Sequence, residues 1–261
     1  MAVPRRRGQH PRRRSLPTTD GAATARGRLL RADNLQDLSP ADIALLVETV
    51  GLDTVVDLRT AFEIESEGPG PLRAYETVRH VHHSLLPESG GDALLTRDRL
   101  RDAAHNSASG NGENGSDDEL GRMVAHYLGY VALRPDSIVG ALRAIADAPG
   151  TALVHCAAGK DRTGVVTAFA LEVAGVDRAT IAADYAATAE RIEAIIRRLR
   201  GTHTYRDDID RKTIDEHRPH AASMDQFLAE VDRRHGGVHT YLDDHGFGAD
   251  DLTRLRTKLR D

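Results

Sequence analysis

The segment from Thr151 to Ala174 constrains the fold more than any other part of this 261-residue chain. Thr151-Ala152-Leu153-Val154 is an apolar run of strand length, bounded by a tight turn that contains Gly159. Thr163 to Ala174 then follows helical spacing, with Val165, Ala168, Leu171 and Glu172 on one mainly apolar face. A buried strand that turns sharply into a helix is half of a βα unit. It predicts an α/β fold with a central, mostly parallel sheet flanked by helices. Such sheets gather their functional groups beyond the C-terminal ends of the strands. Cys156, the single cysteine of the chain, falls at that place.

Five residues separate Cys156 from Arg162 in the stretch His155-Cys156-Ala157-Ala158-Gly159-Lys160-Asp161-Arg162-Thr163-Gly164. This arrangement suits attack on a phosphate ester. A thiol titrates near roughly 8.5 by itself, and a helix N-terminus with nearby cations lowers that value. The helix beginning near Thr163 supplies its positive end. Successive N–H groups of Ala157, Ala158, Gly159 and Lys160 can form an anion nest. Arg162 offers a two-pronged fork to phosphate oxygens that lysine cannot copy. Asp161 is an acid inside the loop, placed to protonate a leaving oxygen and later to activate water. The Thr163 hydroxyl can stabilise the thiolate, and His155 can hold the loop backbone. Lys160 adds a second charge, and Gly164 is expected to keep the helix close to the strand. The reading is therefore a nucleophile, Cys156, with Arg162 and Asp161 as its catalytic partners and no metal or other cofactor.

This loop resembles the phosphate loop of the cysteine-dependent protein tyrosine phosphatases. Its Gly-Lys-Asp-Arg-Thr-Gly ending is similar to that of their atypical bacterial branch. Further segments carry the likeness: Gly27 to Leu35; Asp57-Leu58-Arg59-Thr60 with Glu63; Asp184-Tyr185; and Tyr241-Leu242 with Leu252, Leu255, Arg256 and Leu259. The resemblance implies a tyrosine phosphatase-like fold with a helical lid after the loop helix, over about residues 186–222. It implies hydrolysis of phosphotyrosine in proteins, extending to phosphoserine/threonine and phosphoinositides, and it maps the family's loop acid onto Asp161. Arg59 is counted among the phosphate-binding residues, although Asp57 and Arg59 read more simply as an ion pair that braces the loop. The chain departs from the family in lacking an Asn-Phe-Arg-Asp stretch before Gly27, and in carrying Glu88 where an aspartate is expected further on.

Composition limits the remaining choices. The net charge is −5, and the first fourteen residues hold six arginines and no acid. Setting those six aside leaves −11 on the rest, which argues against nucleic acid as a partner. A phosphorylated protein or phosphoinositide is the expected ligand, and the chain is expected to be a monomer. No apolar run reaches about 18 residues, so no transmembrane helix is expected, nor is there the apolar core of a signal peptide. The expected location is the cytoplasm, or export without a signal peptide. A single cysteine excludes an internal disulfide.

Residues 1–25 are read as a disordered basic tail, able at most to touch an anionic membrane surface weakly. Residues 26–261 form the phosphatase domain, with a flexible polar insert at 106–118. Ser39-Pro40 starts a helix that Gly51 ends. Thr54 to Leu58 and Thr77 to Leu86 read as strands; helices are expected over Leu120–Ala132 and Asp136–Ala148. Ile192, Ile195, Ile196 and Leu199 stripe a helix with a basic back of Arg191, Arg197, Arg198 and Arg200. Asp177 and Ser223 are read as helix caps, and Asp250 as the start of the last helix. His80, His82 and His83 are ordinary strand histidines, since no carboxylate or cysteine joins them at ligand spacing. Two other readings of the cysteine loop stay open: a rhodanese-like sulfurtransferase, against which Arg162-Thr163 argues, and a catalytically weak, phospho-ligand-binding pseudophosphatase, although no catalytic side chain is missing.

Overall fold

The computed structural model describes residues 15–88, 102 and 119–260. Four strands form one sheet in the order β1-β4-β2-β3: β1 Leu29–Ala32, β2 Leu52–Asp57, β3 Arg79–His82 and β4 Thr151–His155. Every pairing is parallel. The strand that leads to Cys156 therefore lies between β1 and β2, buried along its whole length. Register does the rest. Ala32, Asp57 and His155 stand side by side at the C-terminal edge. The strand expected over Thr77–Leu86 pairs regularly only through His82. Beyond it the chain follows Asp57 and Leu58 through single bonds from His83 and Leu85.

The alternation of strand side chains divides the core. Val56, Ala152 and Val154 point into a large apolar layer, while Val55 and Leu153 point into a smaller one. The smaller layer is roofed by α1, Pro40–Ala44, which continues as a wider helical turn through Thr49. Ser39 caps α1 in a reciprocal capping box with Asp42. α2, Ala61–Glu67, starts the same way, with Thr60 and Glu63 as the pair. On the large layer lie α3 Glu119–Leu133, α4 Pro135–Ala146, α5 Asp161–Val173, α6 Arg178–Ala186, α9 Ala221–His235, α10 Val238–Asp244 and α11 Ala249–Leu259. α5 is buried on nearly every side, not along one stripe, because it runs through the middle of this layer. Asp177 caps α6 as expected. Ser223, by contrast, is buried inside the first turn of a helix that begins at Ala221.

Between α6 and α9 the chain forms α7 Ile192–Arg200, the short α8 Arg206–Ile209 and a tight turn at Asp215–His217. Ile192, Ile195, Ile196 and Leu199 face inward and meet Ala157 and Ile209 in a third apolar cluster. The stripe expected from the sequence is thus buried against the cysteine loop itself.

One boundary requires correction. Ser15 to Ala25, expected to belong to a disordered tail, are packed: Thr18 bridges Val176, Thr24 bridges Arg260, and both threonines are buried. Backbone pairing to two separate elements outweighs a composition poor in apolar residues. Residues 1–14 and the 106–118 insert lie outside the described residues.

Gly159 shows how tightly the sheet edge holds the loop. Its φ is +62°, and a Cβ there would lie 2.7 Å from Cα of Asp33 and overlap the Ala32 carbonyl. Gly159→Ala combines a left-handed backbone with a clash. It is expected to destabilise the fold by about 2 kcal/mol or more, measured by urea denaturation; an unchanged midpoint would show that the loop yields freely.

Candidate active site

Cys156 leaves β4 at the centre of the sheet and is 2% exposed. The Thr163 hydroxyl, one helical turn into α5, donates to its Sγ at 3.2 Å. Among the described residues, no hydrogen bond is donated by the N–H groups of Ala157, Ala158, Gly159 and Lys160.

The carbonyls of the same loop are engaged from outside. Arg31 of β1 donates to Gly159 O at 2.8 Å and pairs with Asp184 of α6 at 3.0 Å. Arg198 of α7 donates to Ala157 O at 2.5 Å and lies 3.8 Å from Asp33. The His155 ring meets Cys156 O at 3.3 Å, and its other nitrogen lies 3.5 Å from Asp57.

Arg162 is held by Glu63 in a bidentate pair of 2.6 and 2.7 Å and also donates to Leu58 O. The Glu63 carboxylate further accepts from Tyr205 Oη at 2.6 Å and from Thr60 N at 2.6 Å. Burial pushes this acid up, but the charge and hydrogen bonds of Arg162, with the donors Tyr205 and Thr60, pull it down to about 2. Burial likewise opposes the Arg162 charge and Glu63 outweighs it, so the guanidinium stays protonated.

Asp57 and Arg59 form the expected bracing pair. Nε and Nη2 of Arg59 bind the Asp57 carboxylate, down to 2.6 Å, and Nη1 donates to Gly68 O. Burial raises the Asp57 carboxyl, yet His155 and Arg59 hold it far below the usual range. With its nitrogens so occupied and its side chain 2% exposed, Arg59 braces the wall behind Ala157. Glu88 accepts from Ala61 N and lies near His82, at the start of α2.

Asp161 opens α5 with its side chain 26% exposed. Tyr127 Oη donates to its Oδ1 at 2.6 Å, Lys160 Nζ lies 3.5 Å from the same oxygen, and Tyr185 Oη stands 2.5 Å from Tyr127 Oη. Burial raises this carboxyl, but Lys160 and Tyr127, with His126 and Arg162, bring it below its ordinary value. Lys160 also donates to His217 O at 3.1 Å. Gly164 faces a helix rather than the strand: a Cβ there would lie 2.9 Å from the Tyr185 ring.

Sequence reasoning did not assign Arg31, Tyr127, Arg198 or Tyr205. Only Arg31 left a signal, since an arginine inside the apolar strand Leu29–Ala32 must be partnered if buried. Among the described residues, no group of three His, Cys, Asp or Glu side chains gathers as a metal site, and no helix is long and apolar enough to cross a membrane.

The depressed Glu63 carboxyl makes a pH prediction. A folded value near 2, against 4.5 for the free group, contributes stability that is fully present above 4.5 and fades as pH falls toward 2. Glu63→Gln is expected to cost about 3 kcal/mol at neutral pH, with the difference from the parent closing across that acidic window. Urea midpoints measured at several pH values check this.

Comparison with known proteins agrees with the geometry. A triple specificity protein phosphatase, PtpB, of Mycobacterium tuberculosis is 32% identical over 166 residues, 61% of this chain and 60% of that protein. A tyrosine-protein phosphatase of Nostoc commune is 27% identical over 248 residues, 93% of this chain and 78% of that one. A putative tyrosine-protein phosphatase of Cupriavidus necator is 30% identical over 177 residues, 67% of this chain and 58% of that one. The match to the mycobacterial protein thus spans less than two thirds of its length. The family model described as "Tyrosine phosphatase family" matches residues 14–261. A match of that extent, running through a loop of this geometry, places the chain in the tyrosine phosphatase family.

Proposed function

We propose that this chain is a phosphomonoester hydrolase that works through a phosphocysteine intermediate on phosphotyrosine in proteins. The observation that carries the reading is the loop itself. Four successive amides that donate to no described residue follow a thiol that accepts from Thr163, and Arg162 at the end of the same loop is fixed by Glu63. The Cys156 thiolate attacks phosphorus, and the ester oxygen departs with a proton from Asp161. Water, giving its proton back to Asp161, then attacks the phosphocysteine. Inorganic phosphate leaves and the thiolate is restored, with the Thr163 hydroxyl stabilising it. Charge on the transferring group meets the loop amides and Arg162 throughout.

Asp161 must be protonated in the first step, although it rests ionised. A phosphate dianion in the loop adds negative charge beside it, and like charge raises a carboxyl. Substrate binding therefore loads the acid. Glu88, bound to α2, is the weaker candidate.

The segment over the loop acts as a lid in this reading. α7 covers Ala157, Lys160 reaches His217, and Cys156 is almost fully enclosed. A phosphorylated side chain reaches the thiol only when these contacts part. Phosphoserine/threonine, from the family resemblance, and phosphoinositides, from Lys160 beside Asp161, are further substrates in this reading. Arg59 serves as a brace for the loop rather than a phosphate contact.

Hydrolysis of p-nitrophenyl phosphate in the presence of a chelator is the first test. Activity is expected in the parent and none above background in Cys156→Ser. A trapped phosphocysteine, seen by mass spectrometry after rapid acid quench, identifies the intermediate. Thiosulfate turnover without phosphatase activity would replace this reading with sulfur transfer. Arg162→Lys is expected to lower kcat/KM at least about 100-fold, because the two-pronged geometry goes with the guanidinium. Near-normal turnover would remove Arg162 from its role. A panel of phosphopeptides and phosphoinositides compared by kcat/KM ranks the substrates.

A further inference from the structure

We propose that Tyr127, backed by Tyr185, is a positioning residue that pins one oxygen of Asp161 and leaves the other to exchange the catalytic proton. The inference rests on Asp161 being the general acid and base. Its basis is a chain of three side chains from three helices: Tyr185 of α6, Tyr127 of α3 and Asp161 at the start of α5.

The direction of the hydrogen bonds follows from counting protons. A phenol carries one, and an ionised carboxylate only accepts. Tyr127 spends its proton on Asp161, so Tyr185 must donate to Tyr127. Such a chain polarises each link. Among the described residues, both polar contacts to the Asp161 carboxylate, from Tyr127 and Lys160, fall on Oδ1. Oδ2 is thereby left as the oxygen that exchanges a proton with leaving group or water.

Two features separate this from ordinary core packing. The phenols are buried, at 0% and 2% exposure, in a layer whose other two tyrosines, Tyr130 and Tyr241, turn their hydroxyls to His126 and to the Val131 carbonyl instead. Phenylalanine would fill the same space without two hydroxyls to satisfy. The approach of Tyr185 also depends on Gly164, since any Cβ there would crowd its ring. The glycine that ends the loop motif thus makes room for the second tyrosine.

Other groups face Asp161 electrostatically: Lys160 and Arg162 from its own segment, His126 from α3, and His217 from the covering segment. Tyr130 of α3 also lies within its field. None of these changes in Tyr127→Phe, which keeps the ring that stacks on Tyr130 and meets Phe227 edge-on.

The test is the pH profile of kcat, which reports the substrate complex, for phenyl phosphate, a substrate with a poor leaving group. Its basic limb reports loss of the Asp161 proton. Removing a donor that favours the carboxylate raises that carboxyl, so Tyr127→Phe should move the limb up by about one pH unit. Turnover should also become more sensitive to leaving-group pKa across a series of aryl phosphates. Tyr185→Phe should shift the limb in the same direction but by less. Carbon NMR titration of labelled aspartate in the folded protein gives the same shift without turnover. Asp161→Asn separates the two ideas. If the limb survives that change, the acid assignment fails and the proposal falls with it. If Asp161→Asn removes the limb while Tyr127→Phe leaves it in place or moves it down, only the tyrosine proposal is overturned.

Discussion

A loop in which four successive amides donate to no described residue leaves most of its carbonyls to be met from outside. That constraint organises the structure around Cys156. Gly159 O is taken by Arg31, Ala157 O by Arg198, and the carbonyl of Leu58 next door by Arg162. Each donor is a guanidinium in the protein interior, and a buried charge without a partner is costly. Each therefore has its own carboxylate: Asp184 for Arg31, Asp33 for Arg198 and Glu63 for Arg162. Glu63 sits in the first turn of α2, Asp33 just past the end of β1 and Asp184 in the last turn of α6. Residues far apart in the chain converge because the loop needs neutralised donors from every side.

Arg162 has a double obligation. In the proposed reaction it meets phosphate, while in this state its guanidinium spans Glu63 and the Leu58 carbonyl. Glu63 also accepts from Tyr205, which belongs to the segment above the loop. The carboxylate that orients the phosphate-binding arginine is thus tied to the cover as well. Raising that cover would release Tyr205 from Glu63, His217 from Lys160 and Ala157 from the apolar stripe of α7 together. If the segment is the lid proposed above, substrate affinity carries the free energy of separating these contacts.

What could be read from the chain was local. The strand, turn and helix around Cys156, the Ser39 and Asp177 caps and the apolar stripe of α7 depend on spacing within one or two turns, and the structure has them all. The parallel sheet followed from the βα pattern. The partners of the site did not follow, because register and helix packing decide them. Asp57 meets His155 only because β2 and β4 pair in parallel with those residues level. Tyr127 falls inside the helix expected over Leu120–Ala132, with nothing in its spacing to mark it as a partner of Asp161. Ser15 to Ala25 carried no hydrophobic period, since their order comes from bridges to Val176 and Arg260 on distant elements. Burial of α5 on nearly every side was equally hidden: a central helix needs no polar face, and its sequence shows only a weak stripe.

The pair Asp184-Tyr185 shows how two adjacent residues can serve different halves of one reaction. Successive side chains on a helix point about 100° apart. Asp184 turns toward Arg31 and, through it, fixes the carbonyl of Gly159 in the cysteine loop. Tyr185 turns toward Tyr127 and the carboxylate of Asp161, across the bare backbone of Gly164. In the proposed reaction, phosphate binding and proton transfer are thereby both referred to α6, whose capped N-terminus and contact with α9 hold it in place. A displacement of that helix by a fraction of an ångström would disturb both functions at once. Its position outside the loop therefore does not make it peripheral to the chemistry, because the loop's geometry is partly set by what α6 holds.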